Sequence, residues 1–348
     1  MTVRGNFIYT LQNSRMKNYN SGGLITTNVV IKAILVCWLS LCSFGRLFAQ
    51  KEVPTKVIYF MAGIKDHAGP SRHETEKDLL VLQRCLDSVA NIKGVKIVTK
   101  FIYKRTALDI NDMKDAAAIV IESSAEGSSK ERVDPLFPPS PDNRRTYSQE
   151  VLDYLNQVDS LHKAGMGVVV LHWAVAATNQ RAANLYRSWF GGGFVEGYSH
   201  NPLGMWTVTP IKSGQQHPIM RGVGQWTYKD EIFSRFMVIP QDPHRTDLLM
   251  GDAPKTNQGN ITSRCITWAY EEGKSRGLIY GGMDYHSALL NDNYRRFLLN
   301  AIVWAAGIDV PKEGVKSDAK GIQLIERVPD IFDNMDSIIN SRKARPGS

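Results

Sequence analysis

Apolar positions recur along this chain with two different spacings, and the switch between them marks its elements. Residues 168–171, Val-Val-Val-Leu, form an unbroken apolar run. A strand with no alternation is one covered on both faces, as in a parallel sheet. The preceding stretch from Ser148 to Lys163 spaces Val151, Leu152, Leu155, Val158 and Leu161 as one face of an amphipathic helix. Gly165 and Gly167 stand between the two and supply the stop and the turn. The order is therefore helix, glycine turn, buried strand, His172. Ligands of open α/β sheets bind outside the carboxyl ends of such strands, so His172 is the first candidate for chemistry.

The same reading predicts strands over 56–61, 94–99 and 116–122 before this one, with a helix from His73 to about Val89 after the first. Acids in its first turn, Glu74, Glu76 and Asp78, have a sufficient structural reason in the helix dipole; His73 has none. A helix over 179–190 follows the His172 strand. Shorter strands are predicted over 205–210, 246–250, 265–270 and 277–280, and a strongly periodic helix over 293–306, capped by Gly307 with Pro311 beyond. Residues 123–147 are polar and hold Pro135, Pro138, Pro139 and Pro141. They follow a strand's carboxyl end, where a long loop would cover a ligand site. Residues 312–348 read as a polar tail with one short helical piece over 331–339. Strands alternating with helices imply an α/β sandwich of three layers around a mostly parallel sheet.

Charge and cysteine use narrow the class. The 348 residues carry a net charge of +8, but Arg4, Arg15, Lys17, Lys32 and Arg46 fall in the first 49, which hold no acid. The remainder carries only +3, which gives no support to nucleic-acid binding. Residues 33–45 form a short apolar core behind Lys32, followed by Leu-Phe-Ala-Gln50. That is the pattern of a signal peptide over 1–49, and it implies a periplasmic or secreted protein with no membrane attachment after cleavage. Cys37 and Cys42 lie in this leader. Cys85 and Cys265 remain, too few for a disulfide framework and with no zinc-motif spacing.

Titratable residues cluster at predicted strand ends and loop starts: His73, His172, Glu231 and His286, with Asp66 and His67 near the first. Imidazole and carboxylate together suit a divalent metal or general acid–base work. No compact catalytic motif and no phosphate-cradling glycine loop accompanies them, so no nucleotide cofactor is expected.

Five stretches carry a resemblance: Gly167-Val-Val-Val-Leu-His172, Gln216-His-Pro-Ile-Met-Arg-Gly222, Asp230-Glu231-Ile-Phe, Gly277-Leu-Ile-Tyr-Gly-Gly-Met-Asp-Tyr-His286 and Arg296-Phe-Leu-Leu-Asn-Ala-Ile-Val-Trp-Ala-Ala-Gly307. In this order they resemble the trehalose-utilisation (ThuA-like) family of the class I glutamine amidotransferase-like superfamily. The resemblance implies a flavodoxin-like fold over 50–311 and a carbohydrate as ligand. The superfamily's glutaminases hold a cysteine at the turn where this chain has His172, so thiolate glutaminase chemistry is not expected. Many family members have Gly-His near the last strand, whereas here Gly282 is followed by Met283 and Asp284, with His286 displaced.

Two readings follow. In the first, an enzyme acts on a carbohydrate or keto-sugar derivative. His172 and Glu231 are catalytic, and His73, Trp173, Tyr228 and Asp284 meet the substrate. A zinc or manganese ion is held by His73, His172, Glu231 and His286. In the second, the same fold binds a small carbohydrate without chemistry. The assembly state is open, a homo-oligomer included.

Overall fold

The structure is a computed structural model that describes residues 52–63, 65, 69–103, 110–123, 149–176, 180–195, 197–254 and 264–317. The expected leader over 1–49, Asp66, His67, nearly all of the 123–147 loop and the 331–339 piece lie outside these residues.

Nine strands form one sheet: β1 (Thr55–Ala62), β2 (Lys96–Tyr103), β3 (Ala116–Glu122), β4 (Gly167–Leu171), β5 (Leu203–Pro210), β6 (Trp226–Glu231), β7 (Arg245–Asp252), β8 (Arg264–Glu272) and β9 (Ser275–Tyr280). Their order is β2-β1-β3-β4-β9-β8-β7-β5-β6. The first five are parallel neighbours, the core of a flavodoxin-like α/β sandwich. Beyond β9 every pairing is antiparallel. The antiparallel half was not foreseen: the apolar pattern of a strand does not specify its direction.

Alternation within the central strands explains the layers. Ile58, Phe60 and Ala62 of β1, Val120 of β3, and Val169 and Leu171 of β4 point to one face. They pack there with Leu79 and Leu82 of α1 (Thr75–Asp87) and Phe297 and Leu298 of α4 (Asp292–Ala305). Tyr59, Met61, Ile119, Ile121, Val168 and Val170 point the other way. They meet Leu155 and Val158 of α2 (Gln149–Ala164) and Leu185 and Trp189 of α3 (Gln180–Phe190). Both faces of β4 are thus buried, which is why its sequence shows no polar position. Gly167 opens β4 where a Cβ would lie 2.2 Å from the carbonyl oxygen of Ala305, so the strand reaches α4 only without a side chain there.

The packed body continues past the expected boundary at 311. Val315 is buried, its N–H donates to Asn300 Oδ1 at 2.8 Å, and the N–H of Lys316 donates to Asn91 Oδ1 at 3.1 Å.

Candidate metal centre

Three chain turns bring the site together at the carboxyl ends of the parallel strands. His172 follows β4 directly and adopts φ 52°; His73, just ahead of α1, adopts φ 50°; Met283, just ahead of Asp284, adopts φ 97°. Left-handed backbone at a residue with a side chain costs on the order of 1–3 kcal/mol and persists where surroundings enforce it. Here they do. The N–H of His73 donates to the carbonyl of Asp284 at 2.9 Å, and the N–H of His286 donates to the carbonyl of Ser71 at 3.0 Å. These two bonds tie the loop ahead of α1 to the loop after β9.

Asp230, at the end of β6, fixes the second loop from below. Its buried carboxylate accepts the N–H groups of Met283, Asp284, Tyr285 and Glu231 at 2.9–3.2 Å. Burial pushes its carboxyl up to about 7, with the charge of Asp284 acting the same way and the backbone donors opposing. Gly281 completes the arrangement. A Cβ there would sit 2.2 Å from the carbonyl oxygen of Phe233, so β9 and the chain leaving β6 touch backbone to backbone.

The side chains so placed converge. One ligand atom each from His73, His172, Glu231 and Asp284 lies within 4.8 Å of the others. Nε2 of His73 is 3.2 Å from Nε2 of His172 and 3.1 Å from Asp284 Oδ1, which is 3.9 Å from His172 Nε2. Ligand atoms about 2.0–2.1 Å from a tetrahedral zinc stand about 3.3 Å from one another, so the spacing fits a small divalent cation. Two imidazoles with two carboxylates suit zinc or manganese. Both histidines and Asp284 are buried.

Arg72 crosses the cluster. Its Nε donates to Asp284 Oδ2 at 2.6 Å and its NH2 to Glu231 Oε2 at 3.0 Å, while Asn201 donates to the other Glu231 oxygen at 2.6 Å. Burial alone would raise the Asp284 carboxyl, but the bond from His73, the nearby His172 and the bond from Arg72 outweigh it and hold it below the usual range. Glu231 shifts the other way: burial and the charge of Asp284 raise it against Arg72 and Asn201. The two acids of one cluster are thereby set apart, one kept ionised and one ready to take a proton.

Beneath this layer lies a second acidic pair. Asp78 of α1 and Glu122 at the end of β3 are fully buried beside each other. Two buried carboxylates side by side do not both ionise readily, and burial raises both carboxyls, Glu122 well above its ordinary value. His286 belongs here. Its Nδ1 is 2.5 Å from Asp78 Oδ1.

Of the four residues expected to hold a metal, the structure brings three together. His73, His172 and Glu231 converge, Asp284 stands with them, and His286 turns to Asp78 instead. Tyr228, expected at the substrate, is a core residue: its hydroxyl meets that of Tyr280 at 2.5 Å and its ring packs 5.1 Å from Tyr294. Its place in β6 points it inward, as the alternating burial of 226–231 requires. Trp173 does border the cluster, edge-on to His73 at 5.8 Å and near Phe233 at 6.0 Å. Arg72 and Asp230 were missed; the guanidinium of Arg72 lies 5.4 Å from the Tyr285 ring centroid. Cys85 is buried and Cys265 lies in another part of the fold, its thiol pushed up to about 12 by burial and by Asp247.

Comparison with known proteins gives this geometry a family. The model of the ThuA family, described as trehalose utilisation, matches residues 144–305. The chain carries a ThuA-family domain. The match spans β4 to α4 and so includes His172, Glu231 and Asp284, while His73 lies outside it. A ThuA-like protein from Parabacteroides merdae has a solved structure similar to this chain at 14% identity and a TM-score of 0.50, covering 77% of this chain and 99% of that one. Such a likeness shows the shared fold. A ThuA-like protein from Bacteroides uniformis is similar at 13% identity and a TM-score of 0.48, covering 75% of this chain and 95% of that one. No curated protein matches the chain.

Proposed function

We propose that this ThuA-domain protein is an enzyme acting on a carbohydrate or keto-sugar derivative, with a divalent cation held by His73, His172, Glu231 and Asp284. The observation that carries the reading is the convergence of those four ligand atoms within 4.8 Å at the strand ends. The substrate class follows from the family's description as trehalose utilisation. A zinc or manganese ion held by this donor set would supply Lewis-acid chemistry toward a carbonyl or hydroxyl oxygen. Glu231 would accept a proton from a sugar carbon or hydroxyl and return it. Asp284, whose Oδ1 lies 3.1 Å from His73 Nε2, would share the cation with that imidazole. Arg72, half-buried over both acids, is the donor for a substrate oxygen, and Trp173 and Tyr285 flank the space where a sugar ring would stack. The leader over residues 1–49 supports export, which would place this chemistry in the periplasm or outside the cell.

Metal content by mass spectrometry tests the reading, on the protein and on His172→Ala, both prepared without chelator. Near-stoichiometric zinc or manganese in the first, lost in the second, is expected; turnover is then sought with trehalose and other disaccharides. No metal in either after incubation with zinc and manganese defeats it. One observation favours the alternative, a carbohydrate-binding protein without a metal: Arg72 already pairs with both carboxylates. Sugar binding that is indifferent to chelator would select that alternative.

A further inference from the structure

A second site lies on the antiparallel half of the sheet and shares no residue with the metal centre. It is a cavity of about 200 Å³ whose polar wall holds three guanidinium groups, Arg235, Arg245 and Arg264, against one carboxylate, Asp247. Arg245 and Arg264 stand on the neighbouring antiparallel strands β7 and β8, and Arg235 comes from the chain after β6. Trp268 and Phe236, both buried, form an apolar floor, and Tyr198 stands at the exposed side.

Each arginine is held differently. Arg235 takes a left-handed backbone, φ 52°, which the turn at 199–200 enforces: Ser199 Oγ donates to the Arg235 carbonyl at 2.9 Å, and His200 and Ser234 exchange backbone bonds at 2.7 and 3.0 Å. Its guanidinium lies 4.5 Å from the Tyr198 ring centroid, with NH1 2.9 Å from His200 Nε2. Arg245 pairs with Asp247 at 2.9 Å and lies 5.9 Å from the Trp268 ring centroid. Among the described residues Arg264 has no such partner. Its Nε is buried and makes no hydrogen bond among the described residues. His200 adds no negative charge, and burial together with Arg235 and Arg264 keeps its imidazole neutral.

Among the described lining residues, three positive groups and one negative leave a formal +2 in a half-open cavity. Like charges lining one cavity repel, and a buried donor without an acceptor costs about 1–3 kcal/mol. Both deficits have one remedy, a ligand with negative charge and several acceptor oxygens. Guanidinium groups are the side chains best shaped for that, since their paired N–H donors match oxyanion geometry.

We infer that this cavity binds the oxyanion group of a small molecule, a phosphate, sulfate or carboxylate, whose uncharged body rests on Trp268 and Phe236. The site is independent of the metal centre. Between them Phe233 packs on His172 at 5.2 Å, while Arg235, two residues on, faces the anion cavity.

Calorimetric titration of the full chain in Tris-chloride with inorganic phosphate, sulfate and glucuronate tests the inference. One of the three is expected to bind with one-to-one stoichiometry, at least about tenfold more weakly to Arg264→Gln and to Arg235→Gln, and unchanged on His172→Ala. Preference for phosphate or sulfate would identify a tetrahedral group, and preference for glucuronate a sugar acid. Absence of binding by all three up to roughly 10 mM, the weak end of specific recognition, overturns the inference. So does equal binding by the wild type and both folded arginine variants. If Arg264→Gln fails to fold, Arg235→Gln carries the comparison, with the melting temperature as the check on folding.

Discussion

Nε2 of His73 and Nε2 of His172 stand 3.2 Å apart although the two residues are 99 positions apart in the chain. In a metal-free state one of the two nitrogens must carry a proton and the other accept it. With a cation between them both become acceptors. The pair should therefore respond to metal in a way that isolated histidines do not. Zinc at about a hundred times its dissociation constant should raise stability by about 2.7 kcal/mol in the wild type and have no effect on His172→Ala. Thermal denaturation with and without zinc measures this, and equal shifts in both proteins would remove His172 from the site.

Arg72 competes with any cation for Glu231 and Asp284. Arg72→Gln should tighten divalent-metal binding several-fold, since one positive charge leaves the cluster. It should also lower the melting temperature of the metal-free protein, where two carboxylates are left facing each other. Weaker metal binding in the variant would mean that Arg72 supports the site instead of competing for it.

The Asp78–Glu122 pair makes stability depend on pH. Burial raises the folded-state carboxyl of Glu122 well above its unfolded value, so the folded protein holds a proton that the unfolded chain releases. The stabilisation is complete below the unfolded value near 4.5 and fades as pH climbs through the raised folded value. Glu122→Gln keeps a neutral donor toward Asp78 at every pH. Urea denaturation at pH 5 and pH 8 should show the variant losing less stability than the wild type between the two. Parallel pH profiles would show that the pair does not share a proton.

Gly281→Ala places a methyl group 2.2 Å from the Phe233 carbonyl oxygen, a contact with backbone that no side-chain rotation relieves. A loss of about 3 kcal/mol or more is expected, from overpacking and from breaking the bond between the Phe233 N–H and the Gly281 carbonyl. Circular dichroism with urea titration measures it; a loss under about 1 kcal/mol would show that the two backbones can separate cheaply.

Much of the fold was legible because the parallel strands are uniformly apolar. The run at 168–171 could only be a strand buried on both faces, and its end placed His172. Asp284 and His286 were harder to tell apart. They lie two residues apart, and a turn with φ 97° at Met283 decides which faces the histidines. No periodicity encodes that rotation. Arg72 was invisible because its partners lie 159 and 212 residues away, in a loop with no pattern. Residues 226–231 do alternate, buried and exposed in turn, but the paired acids drew attention as chemistry and hid the strand. Asp230 then proved to serve the backbone of the neighbouring loop.

The order in which the site is made follows from the same long separations. β1 lies inside the sheet, between β2 and β3, so the chain starts in the middle and builds outward. Arg72 leaves the ribosome 212 residues before Asp284. At about 5–20 residues per second, that interval is roughly 10–40 s. For all that time the nascent chain holds His73 and Arg72 with Asp284 still unmade. The proposed donor set is therefore incomplete until Asp284 has emerged, and a cation bound earlier would have at most His73, His172 and Glu231 to hold it.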